Sequence, residues 1–173
     1  AFAGGQFLKA VARRLNKYGH SLENIRSRLF GYEDSVAYLD HAANYSTANI
    51  AQLSVVNYKD FFLMSNDEIN KFIVVTNPPF NEDKTKIDGT RGGQLFSKFV
   101  EKIYEISDIS AIVLPNVWAH KPNKTKTMIH NKGIKEIFDT TERFNINWPT
   151  CCVISETQYV GKLKVTNSQG QTY

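Results

Sequence analysis

Two stretches of this sequence are apolar at nearly every position, Phe72-Ile73-Val74-Val75 and Ile109-Ser110-Ala111-Ile112-Val113-Leu114. A strand with one wet face alternates apolar and polar residues. A strand that is apolar throughout is covered on both faces, as in a parallel sheet flanked by helices. Between the two runs, Leu95, Phe96, Phe99, Val100 and Ile103 recur at helical spacing, so this region predicts strand, helix, strand. The alternation continues outward. Helices are expected over Gln6–Tyr18 (Phe7, Leu8, Val11, Ala12, Leu15 on one face) and Ser35–Asn44. Strands are expected over Arg28–Glu33, Gln52–Val56, Ile134–Phe138, Cys151–Ser155 and Lys162–Val165. Such a pattern specifies an α/β domain with a mostly parallel sheet.

The 173 residues are enough for one domain with a real core, and 42% hydrophobic with 22% charged residues is ordinary for a globular protein. No apolar run approaches the roughly 20 residues that cross a bilayer. The only two cysteines, Cys151 and Cys152, are adjacent. On a strand they point to opposite faces, so no mutual disulfide is expected, and without nearby histidines they make no zinc site. A reducing cytoplasm is the simplest setting. The net charge of +4 mildly favours a polyanionic partner. Gly89–Gly93 and Thr166–Thr172 are the expected mobile segments.

In a parallel α/β sheet, ligands bind beyond the carboxyl ends of the strands. The run Phe72–Val75 ends there in Thr76-Asn77-Pro78-Pro79-Phe80. Two prolines in a row end ladder pairing, and each holds the residue before it extended. The result is a stiff turn whose carbonyls no neighbouring amide need claim. The Asn77 side-chain oxygen and the Pro78 carbonyl together can accept both hydrogens of a planar amino group, and Phe80 offers a flat face for a ring. Other chemically distinctive residues also fall where strands end or helices begin: Gly4-Gly5 before the first helix, Glu33, and Asp60.

TNPPF after an apolar strand resembles the catalytic motif of S-adenosylmethionine-dependent amino-methyltransferases, above all the DNA adenine-N6 enzymes of restriction–modification systems. The resemblance runs along most of the chain. AFAGGQFL resembles the end of the family's cofactor loop, LFGYE the segment whose acid holds the cofactor ribose, and YKDFF the segment whose acid faces the cofactor adenine. AIVLPNVW and INWPTCCVIS resemble the later strand motifs. The resemblance implies a Rossmann-like class I methyltransferase sheet with an antiparallel late strand. It implies S-adenosylmethionine bound by Phe2, Ala3, Gly4, Gly5, Glu33, Asp60 and Phe61. It implies catalysis by Asn77, Pro78, Pro79 and Phe80, with no metal. The partner implied is DNA with a flipped adenine; no membrane is involved, and a monomer is expected.

Chemically, the sulfonium methyl is already electrophilic, whereas an exocyclic amine conjugated into its ring is a poor nucleophile. Acceptors at Asn77 and Pro78 favour a pyramidal nitrogen, so the site works by orientation and electrostatics. A base inside a duplex must flip out to reach it, and Phe80 repays part of that cost by stacking. The polar tract Asn81–Gly93 is placed to close over such a base; Lys121, Lys124, Lys126, Lys132 and Lys135 either meet phosphates or form a solvated face. Trp148 either lines the target pocket or belongs to the core. RNA-adenine and protein-glutamine methyltransferases share the chemistry, the latter usually with Tyr where this chain has Phe80. A non-catalytic nucleic-acid-binding α/β module is the alternative from another class.

Against the family pattern, Ala1 already lies inside the cofactor loop. The expectation is one truncated catalytic domain over residues 1–173, lacking its first strand and a separate target-recognition domain, and binding cofactor poorly by itself.

Overall fold

A computed structural model describes residues 6–29, 31–33, 55–57, 62–63, 72–80, 95–120, 122–143 and 148–173. The chain divides into two compact units, Ala1–Met64 and Ser65–Tyr173.

In the first unit, helix α1 (Gln6–Lys17) is followed by α2 (Leu22–Arg28). Ser21 caps α2, its hydroxyl accepting from the Asn24 amide at 3.2 Å. Ala12 in α1 and Ile25 in α2 are buried. Strands β1 (Gly31–Glu33) and β2 (Val55–Asn57) pair in parallel, Gly31 with Val55 and Glu33 with Asn57. The strand expected from Arg28 therefore begins later. With Ser21 capping it, the LENIRSR segment completes a helix through Arg28 before the chain extends. The helix expected over Ser35–Asn44 lies outside the described residues.

The second unit carries the main sheet. Its elements are β3 (Phe72–Thr76), α3 (Leu95–Ile106), β4 (Ser107–Pro115), α4 (Val117–His120), α5 (Lys124–Lys132), β5 (Ile134–Asp139), β6 (Thr150–Glu156) and β7 (Lys164–Thr166). Spatial order is β3-β4-β6-β5-β7. The pairs β3–β4 and β5–β7 are parallel, and β6 lies antiparallel to both β4 and β5. Four strands thus share one direction and β6 alone opposes them, which is the mostly parallel α/β sheet with an antiparallel late strand that was expected.

One face of this sheet is closed. Ile112, Leu114 and Val153 are wholly buried there, and Ser110 faces Ser155 across the β4–β6 ladder. Helix α3 packs onto this face through Phe96, Phe99, Val100, Ile103 and Ile106. Each such side chain contributes about 1.5–3 kcal/mol on leaving water. Helix α5 adds Ile129 and joins α3 through Ser97 and Thr125, whose hydroxyls are 2.5 Å apart. At the far end Lys132 donates to the carbonyls of Tyr104 and Ser107, tying α5 to the end of α3. Gly133 then turns the chain straight into β5 at φ +99°, where a Cβ would stand 2.7 Å from the Glu156 carbonyl oxygen.

The opposite face departs from the expectation of burial on both sides. Ile73 is 69% exposed, and Val75 and Ile109 are also exposed. These positions share a face because Ile73 pairs with Ile109 and Val75 with Ala111. Helices α3 and α5 lie on the other side; farther along β4 on this face Val113 is buried, at 5% exposure, so the exposure stops short of the end of β4.

The tract Thr166–Thr172, expected to be mobile, is instead a hydrogen-bonded hairpin. The Asn167 side chain accepts from the amides of Gln169 and Gln171, and Val165 and Tyr173 exchange backbone bonds. Its polar composition reflects turn chemistry, in which a side-chain carbonyl replaces a backbone acceptor.

Beneath α3, the Tyr104 hydroxyl lies 2.7 Å from Ser155 Oγ. Burial pushes the Tyr104 phenol up to about 12 from its ordinary 10.0, the Ser155 bond opposing the shift. The folded chain therefore keeps a proton that the unfolded chain surrenders. This contribution is complete below about pH 10 and is lost as pH rises through about 12. Chemical denaturation should find Tyr104→Phe less stable at neutral pH by about 1 kcal/mol for the lost bond. The wild-type advantage should shrink as pH rises above 10.0 and vanish before pH reaches about 12.

Candidate active site

The carboxyl ends of β3, β4, β5 and β7 define one edge of the main sheet. Thr76 pairs with Ile112 as the last residue of β3, and Asn77-Pro78-Pro79-Phe80 follows at that edge. Within the turn Pro78 is buried, Asn77 and Phe80 are half-buried, and Pro79 is exposed. The buried ring of Pro78 anchors the turn, while the Phe80 carbonyl accepts from the Phe96 amide at 3.5 Å, returning the chain to the start of α3. Among the described residues, neither the Asn77 side chain nor the Pro78 carbonyl takes a hydrogen bond. Both acceptors stand uncommitted at the carboxyl edge.

The same edge carries the end of β4 and the beginning of β6. Because β6 runs against its neighbours, its first residues lie where the other strands finish. The Asn116 amide donates to the Pro149 carbonyl at 2.8 Å, fastening the two together. Trp148 stands 58% exposed there, beside exposed Val117 at the start of α4. Of the two positions open to Trp148, core or edge, it takes the edge. Trp118, by contrast, is 4% exposed, and its indole N–H reaches Cys151 Sγ at 3.3 Å.

Sequence reasoning missed α4 and α5 altogether. Helix α5 reads KTKTMIHNK and has no apolar stripe. The available signal was Asn123, which caps it: its side-chain oxygen accepts from the Lys126 amide at 2.8 Å, and its amide donates to the Trp118 carbonyl at 3.0 Å. One side chain thereby fixes the angle between the two helices.

The cysteines offer no nucleophile. Both are free; burial pushes both thiols up, Cys152 to about 11, so neither is a thiolate near neutrality. No group of three or more metal-ligating side chains occurs among the described residues, and no described helix is long and apolar enough to cross a membrane. Of the expected cofactor residues, Glu33 closes β1, whereas Phe2, Ala3, Gly4, Gly5, Asp60 and Phe61 lie outside the described residues, as does the tract Asn81–Gly93.

Comparison with solved structures places this architecture. The M protein of the type I restriction enzyme EcoKI superposes with a TM-score of 0.71 at 18% identity, over 96% of this chain and 42% of that one. A Listeria monocytogenes protein assigned to the class I S-adenosylmethionine-dependent methyltransferases gives 0.70 at 14% identity, over 96% of this chain and 56% of its own. The methyltransferase subunit of a type I restriction–modification system from Streptococcus thermophilus gives 0.60 at 16%, over 80% and 35%. The chain has the Rossmann-like fold of class I methyltransferases. It spans well under half the length of the type I subunits it matches. No family model matches the sequence, and no curated protein does.

The two tryptophans provide a direct check of the edge. With Trp118→Phe, the remaining emission should be red-shifted and readily quenched by acrylamide; with Trp148→Phe it should be blue-shifted and protected. Equal quenching of the two variants would place Trp148 in the core.

Proposed function

We propose that this chain is the catalytic domain of an S-adenosylmethionine-dependent methyltransferase acting on the N6 amine of adenine in DNA. One observation carries the reading: Asn77 and Pro78, at the carboxyl end of β3, hold two oxygens that no described residue engages. The fold shared with the M protein of EcoKI and with class I methyltransferases supports it.

In the proposed reaction an adenine flips from the duplex into the carboxyl edge of the sheet. Its amino group donates one hydrogen to the Asn77 side chain and one to the Pro78 carbonyl. Those bonds favour a tetrahedral nitrogen, whose lone pair then points at the sulfonium methyl. Transfer would join the methyl group to that nitrogen at the expense of the methyl's bond to sulfur, and the amine proton would pass to solvent. Pro79 keeps Pro78 extended so that its carbonyl stays aimed, and Phe80 stacks on the base. Trp148, exposed at the same edge, is a second apolar wall for the extruded base. S-adenosylmethionine supplies the activated methyl group. Glu33 at the end of β1, with Asp60 and Phe61 and the residues Phe2, Ala3, Gly4 and Gly5 before α1, would hold it; an acid can accept from both ribose hydroxyls.

Transfer of radiolabelled methyl from S-adenosylmethionine to duplex DNA, with N6-methyladenine identified by mass spectrometry, tests the proposal. Asn77→Ala should lower kcat by roughly 100- to 1,000-fold, the scale for losing one preorganised polar contact to the reacting group. Cofactor binding by calorimetry should be unchanged. An Asn77→Ala protein as active as wild type, or methyl recovered on RNA or on glutamine instead, overturns it.

A further inference from the structure

The corner between α4 and α5 has a composition and a placement that the catalytic reading does not use. From Asn116 to Lys135 the chain contains Lys121, Lys124, Lys126, Lys132 and Lys135 with His120 and His130, and no aspartate or glutamate. Lys121 lies outside the described residues, and the topology separates the described lysines into two groups. Lys132 and Lys135 lie at the amino edge of the sheet, where Lys132 closes the end of α3 and Lys135 pairs with Glu156 at 2.7 Å. His120, Lys124 and Lys126 lie at the carboxyl edge, on the same rim as the uncommitted oxygens of Asn77 and Pro78.

Three features make the second group a surface built for a polyanion. First, the corner is rigid. Asn123 bonds both α4 and α5, and Lys126 Nζ donates to the Ala119 carbonyl at 2.9 Å, so the start of α5 is fixed against α4. Second, the carboxylate that pairs with it among the described residues is a weak competitor. Lys124 meets Glu101 at 2.6 Å with side chains 68% and 53% exposed, and exposed pairs of this kind contribute about 0–1 kcal/mol. Third, the same edge carries exposed apolar surface, Val117 at the start of α4 and Trp148, whose neighbours are joined by the Asn116–Pro149 bond. Charge beside an aromatic wall is the pairing that grips a sugar–phosphate strand and the base displaced from it. Farther along the rim, the end of β5 carries Asp139, which accepts from the Thr141 amide at 2.9 Å, and the 3-10 turn Thr141–Arg143 adds Glu142 and Arg143, so the basic side chains collect at the α4–α5 corner instead.

We propose that this corner seats the DNA backbone beside the extruded adenine, with Lys124 and Lys126 on phosphates and Trp148 against the opened base step. The proposal rests on the methyltransferase reading for the identity of the polyanion, but binding can be measured without cofactor or chemistry.

Fluorescence anisotropy of a labelled DNA duplex, titrated across about 50–200 mM salt, provides the test. Lys124→Gln with Lys126→Gln should flatten the dependence of log affinity on log salt by about 2, one for each phosphate contact. Lys124→Arg with Lys126→Arg should retain the wild-type slope, as should Lys162→Gln, which removes an exposed lysine beyond the end of β6. Thermal melts exclude unfolding as the cause of any loss. An unchanged slope in the double glutamine variant overturns the proposal, as does tighter binding of duplex RNA than of DNA. If the slope flattens while no methyl is transferred, the corner stands and the catalytic reading falls. If methyl is transferred while the slope is unchanged, the reverse holds.

Discussion

The pairing of β6 with both β4 and β5 fixes everything at the candidate site. Its residues Thr150–Glu156 lie opposite Pro115–Ile109 on one side and opposite β5 on the other. A strand inserted against the direction of its neighbours reverses which of its ends reaches the functional edge. The other strands deliver their carboxyl ends there, while β6 delivers its beginning. Trp148 and Pro149 are therefore brought beside Asn116 and Val117, residues separated from them in sequence by two elements and a turn. A β6 running parallel would have carried Glu156 to that edge and Trp148 to the opposite one.

Much of this was legible in the sequence for a specific reason. Phe72–Val75, Ile109–Leu114 and Cys151–Ser155 are strongly apolar runs bounded by proline or polar residues, and the amphipathic helix at Leu95 has a clean stripe. Packing of the closed face accounts for the helix stripe and for alternate strand positions such as Ile112, Leu114 and Val153. The Asn-Pro-Pro-Phe turn was visible because proline chemistry is local: the prolines determine the backbone around them whatever the rest of the fold does. The adjacent cysteines were likewise decided by the strand period, Cys151 falling on the closed face and Cys152 on the open one.

What escaped was decided by contacts remote in sequence. Helix α5 is polar on nearly every side and is held by Ile129, the Ser97–Thr125 contact and an asparagine cap, none of which produces periodicity. Trp148 could not be assigned from sequence because an aromatic next to a strand serves core and edge equally well; the Asn116–Pro149 hydrogen bond decides it. The open face of β3 and β4 was hidden for the opposite reason. Ile73, Val75 and Ile109 have the composition of buried strand positions, and composition reports what a residue prefers, not what covers it. The hairpin after β7 shows the same in a polar tract, where Asn167 supplies an acceptor to two amides and so orders residues that look like a tail.

The half-burial of Asn77 bears on how the proposed chemistry would operate. A fully buried amide without a partner would cost about 1–3 kcal/mol, and the fold would tend to relax it away. A fully exposed one would be free to turn, and an acceptor that turns cannot select a geometry. Half-buried beside the sunken ring of Pro78, the side chain can be hydrated when the site is empty while its direction stays constrained. An incoming amine then exchanges one set of hydrogen bonds for another, so little net affinity comes from the contact itself. In the proposed reaction the contact would supply angle: acceptors lying off the plane of the base would draw the amine hydrogens out of that plane, toward the geometry of the reacting nitrogen. A site of this kind discriminates by shape at the nitrogen, and a turn stiffened by consecutive prolines is suited to holding that shape.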